Sequence, residues 1–149
     1  MAASAREGLV RYVALQPHYN LVERDYENGL ADVCRRHDLG CLPYFALAKG
    51  FLTGKYRPGA DDVDSQRAQG ARAYLDERGE RVLAALDAAA AAHAVPVAAV
   101  SLAWLAAQPT VVAPIASART PAQLAELMAM ADLELTADEL SALDAASAE

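Results

Sequence analysis

The stretch PYFALAKGFLTGKY, Pro43–Tyr56, opens as an apolar run and closes on two glycines and two lysines. With the two residues before it, the run CLPYFAL (Cys41–Leu47) is apolar at odd and even positions alike. That is the pattern of a parallel strand covered by helices on both faces. Parallel α/β folds place their sites at the C-terminal ends of strands. Gly50 and Gly54 let backbone approach a ligand closely, and Lys49 and Lys55 bring positive charge to the same end. The stretch therefore suits an anion site at a strand terminus. It is not a P-loop, because GxxxxGK[ST] does not occur. Taken alone, the same residues also suit an ordinary glycine-rich turn.

Working toward the N-terminus, VRYVALQ (Val10–Gln16) is short, β-branched and aromatic, and predicts a strand. Tyr26, Leu30, Val33, Cys34 and His37 then recur at helical spacing, with Gly40 placed as the C-terminal stop. Working toward the C-terminus, Ala48–Arg78 reads as a long polar connection rich in glycine, functional or mobile by its length. Its ADDVDSQ portion reads as a solvated loop. Glu80–Ala94 predicts an alanine-rich helix with Val82, Leu83 and Leu86 as its apolar stripe. Pro96 suits the first turn of a second helix that buries Val97, Val100, Trp104 and Leu105. TVVAPIA (Thr110–Ala116) predicts a third strand. Thr120-Pro121-Ala122-Gln123 and Thr136-Ala137-Asp138-Glu139 are both helix starts, the second flanked by Leu135 and Leu140 at the staple positions.

The order is β, α, β, long connection, α, α, β, α, α. Strands alternating with helices imply parallel pairing and right-handed crossovers. At 149 residues the chain has the size of one domain, and 54% hydrophobic residues are enough for a packed core. A net charge of −7 argues against nucleic-acid or anionic-membrane binding, so an anion site must rest on local cations and backbone N–H groups. No apolar run reaches bilayer-spanning length, the start carries no secretory h-region, and the reading is cytoplasmic. Cys34 and Cys41 have no CxxC or His partner spacing; they read as small buried apolar residues in a reducing compartment, with no metal implied.

Three strand ends therefore matter: QPHYNLVER (Gln16–Arg24), PYFALAKGFLTGKY, and PIASARTPAQLAE (Pro114–Glu126). In the last, Arg119 precedes a capped helix start, where free N–H groups and the helix dipole favour an anion. By itself this is also how a well-capped surface helix looks. Tyr19 and Arg24 read as structural, and His18, His37 and His93, each without a partner carboxylate in sequence, as incidental.

QPHYNLVER, PYFALAKGFLTGKY, VPVAAVSLAWLAAQPTVVAPIASARTPAQLAE and LTADELSALD together resemble the C-terminal portion of an aldo-keto reductase. The resemblance covers nearly the whole chain and is closest to bacterial members similar to the potassium-channel β subunits. It implies a partial (β/α)8 TIM barrel, residues 1–149 corresponding to strands six to eight with their helices. It implies NADP(H) as cofactor and hydride transfer to an aldehyde or ketone. Gln16 would hydrogen-bond the nicotinamide carboxamide, and Tyr44 would stack on the nicotinamide ring. Leu47, Lys49 and Lys55 would follow the pyrophosphate. Ser117, Arg119, Gln123 and Glu126 would surround the adenosine and its 2′-phosphate. Two positions depart from the family pattern, Ser117 where glycine is usual and Leu127 where asparagine is usual; both bear on cofactor affinity.

The family's Asp, Tyr, Lys and His tetrad belongs to the first half of its barrel, and no matching motif occurs here. No catalytic residue is nominated, and this chain alone is expected to be inactive. Three parallel strands cannot close a barrel. The open edges imply a complementary half-barrel or a homo-oligomer as partner, with a small carbonyl substrate once the barrel is complete. The alternative expectation is a non-catalytic NADP(H)-binding or oligomerising half-barrel module.

Overall fold

A computed structural model describes residues 2–59 and 65–148. Its centre is a small parallel sheet. Strand β1 (Ala14–Leu15) pairs in parallel with β2 (Gly40–Cys41), Ala14 beside Gly40 and Leu15 beside Cys41. The ladder continues beyond the formal strands through a parallel bridge between His18 and Tyr44. The segment 110–115 lies on the other side of β2: Cys41 N–H donates to Thr110, Val112 N–H to Cys41 and Ile115 N–H to Pro43. Three parallel lines thus run side by side in chain order, and their C-terminal ends share one edge.

Both strands are shorter than expected. Val10 and Tyr12 are exposed, so pairing begins only where the chain meets Gly40. Gly40 is not the stop of the preceding helix α2 (Leu30–His37). That helix ends at Asp38, which adopts φ +53°. Gly40 instead lies in β2, where a Cβ would fall 2.7 Å from the Val112 side chain. Absence of a side chain is what lets the three lines approach there.

The pleat sorts the side chains into two faces. Leu15, Pro17, Cys41, Pro43 and Val111 turn toward the helices, and Cys41 is fully buried. Burial holds its thiol above the ordinary range, so it stays protonated and unreactive. Cys34 is also a buried free thiol. Tyr12, Ala14, Gln16, His18, Gly40, Tyr44 and Val112 turn the other way, onto a face that no helix covers among the described residues. The strand expected to be covered on both sides is therefore covered on one.

The segment 48–78 is not a structureless connection. A 3-10 turn spans Ala48–Thr53 and buries Ala48, Phe51 and Leu52; Tyr56 is buried just after it. Helix α3 (Ala68–Arg72) follows. The part of ADDVDSQ at 60–64 lies outside the described residues. Helix α4 (Glu77–His93) begins three residues earlier than its alanine pattern suggested, because Asp76 caps it, accepting from Gly79 N–H at 2.7 Å. Helix α5 (Val97–Ala106) is buried along most of its length, with Pro96 standing one residue outside as its cap. A short N-terminal helix, α1 (Ala2–Glu7), carries no buried residue and left no apolar signal to read.

The core lies between α4, α5 and the covered sheet face, with Trp104, Phe51, Leu83, Leu86 and Leu105 at its centre. Arg24 closes it on one side. Its guanidinium stands 5.1 Å from the Trp104 ring and donates to Glu27, Asp144 and Ser147. Tyr19 donates to the same Glu27 at 2.9 Å, and burial raises its pKa. The structural reading of Tyr19 and Arg24 holds.

Both helix-start signatures form. Thr120 caps α6 (Pro121–Met128), accepting from Gln123 N–H. Thr136 and Glu139 make a reciprocal box at α7 (Ala137–Ser147). Glu139 also bonds His93 at 2.8 Å, which ties the end of α4 to the start of α7. The backbone N–H of Thr136 and then His93 hold the Glu139 carboxyl down to about 2, from an ordinary 4.5. A depressed carboxylate stabilises the fold above its unfolded pKa and loses that contribution as pH falls through the folded one. The difference in thermal midpoint between the native chain and Glu139→Gln should therefore be full near pH 6 and shrink between about pH 4.5 and pH 2. A pH-independent difference would refute this.

Candidate functional site

The residues singled out in sequence lie at or after the C-terminal ends of the three parallel lines. Gln16, exposed, ends the first line. Tyr44, 38% exposed, ends the second on the same face. Lys55, Ser117, Arg119 and Glu126 are exposed; Leu47, Lys49 and Gln123 are half-buried. Gln123 accepts the Arg119 backbone N–H through its side-chain oxygen, at 2.9 Å. Leu127, the position where asparagine is usual, is half-buried and packs against the core.

The backbone after β2 is unusual. Phe45, Ala48, Lys49 and Gly50 all have positive φ, three of them consecutive. Each non-glycine residue held there costs about 1–2 kcal/mol, so the surrounding contacts must fix the turn. One is the buried Asn20, whose amide donates to Phe45 O at 2.9 Å and whose carbonyl accepts Val22 N–H. Gly50 is favoured by its φ of +101°. The Lys55 side chain lies beside the Gly50 backbone, 3.5–3.6 Å from where a Cβ would stand, an ordinary contact distance.

Side chains around this turn form an aromatic and cationic cluster. His18 stacks on Tyr44 with ring centres 5.3 Å apart and planes 21° apart, and meets Phe45 edge-on at 5.5 Å. Lys49 lies 6.0 Å from the Phe45 ring centre and 5.8 Å from that of Tyr74. Arg67 lies 5.7 Å from Phe45. Tyr74 is anchored by donating to Glu23 at 2.7 Å; burial and that carboxylate raise its pKa. Among the described residues, no carboxylate pairs with Lys49, Lys55, Arg67 or Arg119. Lys49, Lys55 and Arg67 are held against aromatic rings, which keeps three cations near this strand end.

Two of these residues were not singled out in sequence. Arg67 carries no motif. His18 was set aside for want of a carboxylate partner, but its alternation with Gln16 puts it on the open face beside Tyr44. Its Nε2 is buried without a hydrogen-bond partner. The site thus offers a planar ring with an open side, an amide at Gln16, an imidazole nitrogen without a hydrogen-bond partner and, among the described residues, cations without a carboxylate partner. This donor set fits a molecule with a flat polar ring at one end and anionic groups along its length. Among the described residues no group of three or more His, Cys, Asp or Glu could hold a metal ion. Nor is any single helix there long and apolar enough to cross a membrane; α4 and α5 reach that composition only together, bent 99° apart.

The family model of the aldo/keto reductases matches residues 1–148, and the chain belongs to that family. The protein Tas of Escherichia coli is 32% identical over 142 residues, covering 94% of this chain and 41% of Tas. The L-glyceraldehyde 3-phosphate reductase of E. coli is 28% identical over 152 residues, covering 97% of this chain and 44% of its own length. The chain thus spans less than half the length of these curated relatives. Among solved structures, the glycerol dehydrogenase of Gluconobacter oxydans superposes with a TM-score of 0.76 at 22% identity, over 97% of this chain and 51% of that one. The fold is accordingly part of a (β/α)8 barrel, the C-terminal strands with their helices, as the sequence resemblance implied.

Proposed function

We propose that this chain is the NADP(H)-binding part of an aldo-keto reductase barrel. The observation that carries the reading is the end of the second parallel line, where the open Tyr44 face and cations held against neighbouring rings come together. Tyr44 would present its free side to the nicotinamide while His18 backs the other side. Gln16 would take the carboxamide. Lys49 and Lys55, beside the Gly50 backbone, would hold the pyrophosphate, with Leu47 against it. Ser117, Arg119, Gln123 and Glu126 would receive the adenosine and its 2′-phosphate, for which the arginine fork is the best-suited donor. When bound, NADPH supplies hydride to an aldehyde or ketone. The contribution of this chain's residues is to bind and orient it.

Equilibrium titration with NADPH, followed by the fluorescence of the reduced ring, tests this. The chain should show saturable binding. Arg119→Ala should weaken it about tenfold or more, since a hydrogen bond to a charged group contributes about 1.5–3 kcal/mol. Weakening for NADPH should exceed that for NADH if Arg119 faces the 2′-phosphate. Absence of saturable binding by the native chain would end the reading.

A further inference from the structure

His18, Tyr44 and Phe45 close into a triangle of rings. Ring centres lie 5.3 Å apart for His18 and Tyr44, 5.5 Å for His18 and Phe45, and 5.3 Å for Tyr44 and Phe45. We propose that His18 is the positioning residue for the Tyr44 ring. It acts by its flat face and not by its proton, and so sets how tightly the nicotinamide end of NADP(H) is held. This role rests on the cofactor reading above, because it needs a nicotinamide on the free side of Tyr44.

The backbone assembles the triangle from two separate segments. His18 and Tyr44 lie side by side across a parallel bridge, and Tyr44 N–H donates to Pro17 O at 3.0 Å. Successive residues of a strand turn to opposite faces, so Phe45 would ordinarily point away from Tyr44. Its φ of +51° breaks that alternation and brings its ring back to the other two. The buried Asn20 amide secures the turn by donating to Phe45 O at 2.9 Å. Residues 18–20 thus supply both the supporting ring and the bond that shapes the turn.

Tyr44 needs such support. It is 38% exposed, and among the described residues no hydrogen bond holds its hydroxyl. Its ring is therefore placed by the rings against it. The His18 plane is 21° from that of Tyr44, a stack, and 66° from that of Phe45, an edge contact. Both are favoured aromatic arrangements. Phe45 holds His18 by its edge, and the face of His18 holds Tyr44.

The His18 nitrogen has no part in this. Its Nε2 is buried and, among the described residues, has no hydrogen-bond partner. A general acid or base must stand within hydrogen-bond reach of the proton it moves. Tyr44 lies between His18 and the side proposed for the nicotinamide, so the imidazole can act there only through the Tyr44 ring. An unpaired buried nitrogen is also a cost, and a phenyl ring at this position would remove it while keeping the stack.

The test titrates the native chain, His18→Ala and His18→Phe with NADPH and with adenosine 2′,5′-bisphosphate, which keeps the adenosine end and lacks the nicotinamide. His18→Ala should weaken NADPH about fivefold, the weight of one aromatic pair, and leave the bisphosphate unchanged. His18→Phe should recover most of the lost affinity. Equal weakening of both ligands in His18→Ala would reduce His18 to a support of the fold. NADPH affinity as low in His18→Phe as in His18→Ala would mean that the nitrogen acts. Either result overturns the proposal. A second readout needs no cofactor. In the chain labelled with 3-fluorotyrosine, the fluorine resonance of Tyr44, assigned through Tyr44→Phe, should shift in His18→Ala toward that of free tyrosine and stay close to native in His18→Phe. An unmoved resonance in His18→Ala would overturn the proposal as well. Failure of the native chain to bind NADPH would instead end the cofactor reading, with the fluorine spectrum still reporting the contact between His18 and Tyr44.

Discussion

Trp104→Ala should reduce the unfolding free energy by about 4 kcal/mol, the range for emptying a buried tryptophan site. Trp104 is fully buried at the centre of the core. Its ring also faces the Arg24 guanidinium at 5.1 Å and lies edge-on to Tyr19 at 5.8 Å, and its indole N–H donates to Asp144 at 3.1 Å. Alanine removes the filling of the core, the face for the cation and the donor for the carboxylate at once. For a chain of this length the thermal midpoint should fall by about 10 °C. Circular dichroism is the proper readout, because Trp104 is the chain's one tryptophan. Trp104→Phe keeps most of the volume and should fall between the two. A loss below about 1 kcal/mol for the alanine variant would mean that the core is not centred where described.

Gly79→Ala should cost about 3 kcal/mol, an unusual outcome for a change that ordinarily favours a helix. A Cβ at this position would lie 1.8 Å from the carbonyl oxygen of Tyr74 and 2.9 Å from the Phe51 ring. The oxygen is backbone and cannot swing aside as a side chain can. Either the turn 73–76 or the first turn of α4 must move, and the Asp76 cap onto Gly79 N–H is lost with it. Gly70→Ala is the matched control. There the nearest atom is the Lys49 Cδ at 2.8 Å, the middle of a flexible side chain. Urea denaturation of both variants should show a large fall in midpoint for Gly79→Ala and little change for Gly70→Ala. Equal effects would refute the steric argument.

What was legible in the sequence was what local chemistry decides. A cap needs only a hydroxyl and the residue three places on, so Thr120 and Thr136 could be read directly. Parallel order followed from alternation of elements, and the three lines lie in that order. What escaped was decided by contacts distant in sequence. Val10–Tyr12 have strand composition but no neighbour to pair with, so pairing starts later. Phe51, Leu52 and Tyr56 lie in a segment whose overall polarity hid them, and the left-handed turn at Ala48–Gly50 has no periodicity. Gly79 fell between the expected connection and the expected helix, and its obstacle, the Tyr74 carbonyl, is a matter of backbone path. In the candidate site, Lys49 and Lys55 could be singled out because they follow one strand, whereas Tyr44 entered only through the family resemblance. Arg67 and the orientation of His18 became visible only when the turn brought rings and cations together.

The Arg24 clasp sets an order of events for synthesis. Its bond to Asp144 joins residues 120 positions apart. A ribosome releases the chain N-terminus first, at about 5–20 residues per second. Arg24 and Tyr19 therefore leave the tunnel many seconds before the helix that supplies Asp144 and Ser147. In that interval Trp104 can be neither fully enclosed nor fully paired, however well α4 and α5 have formed. The nascent chain is obliged to wait for Ala137–Ser147, and without that helix the core has no lid on this side.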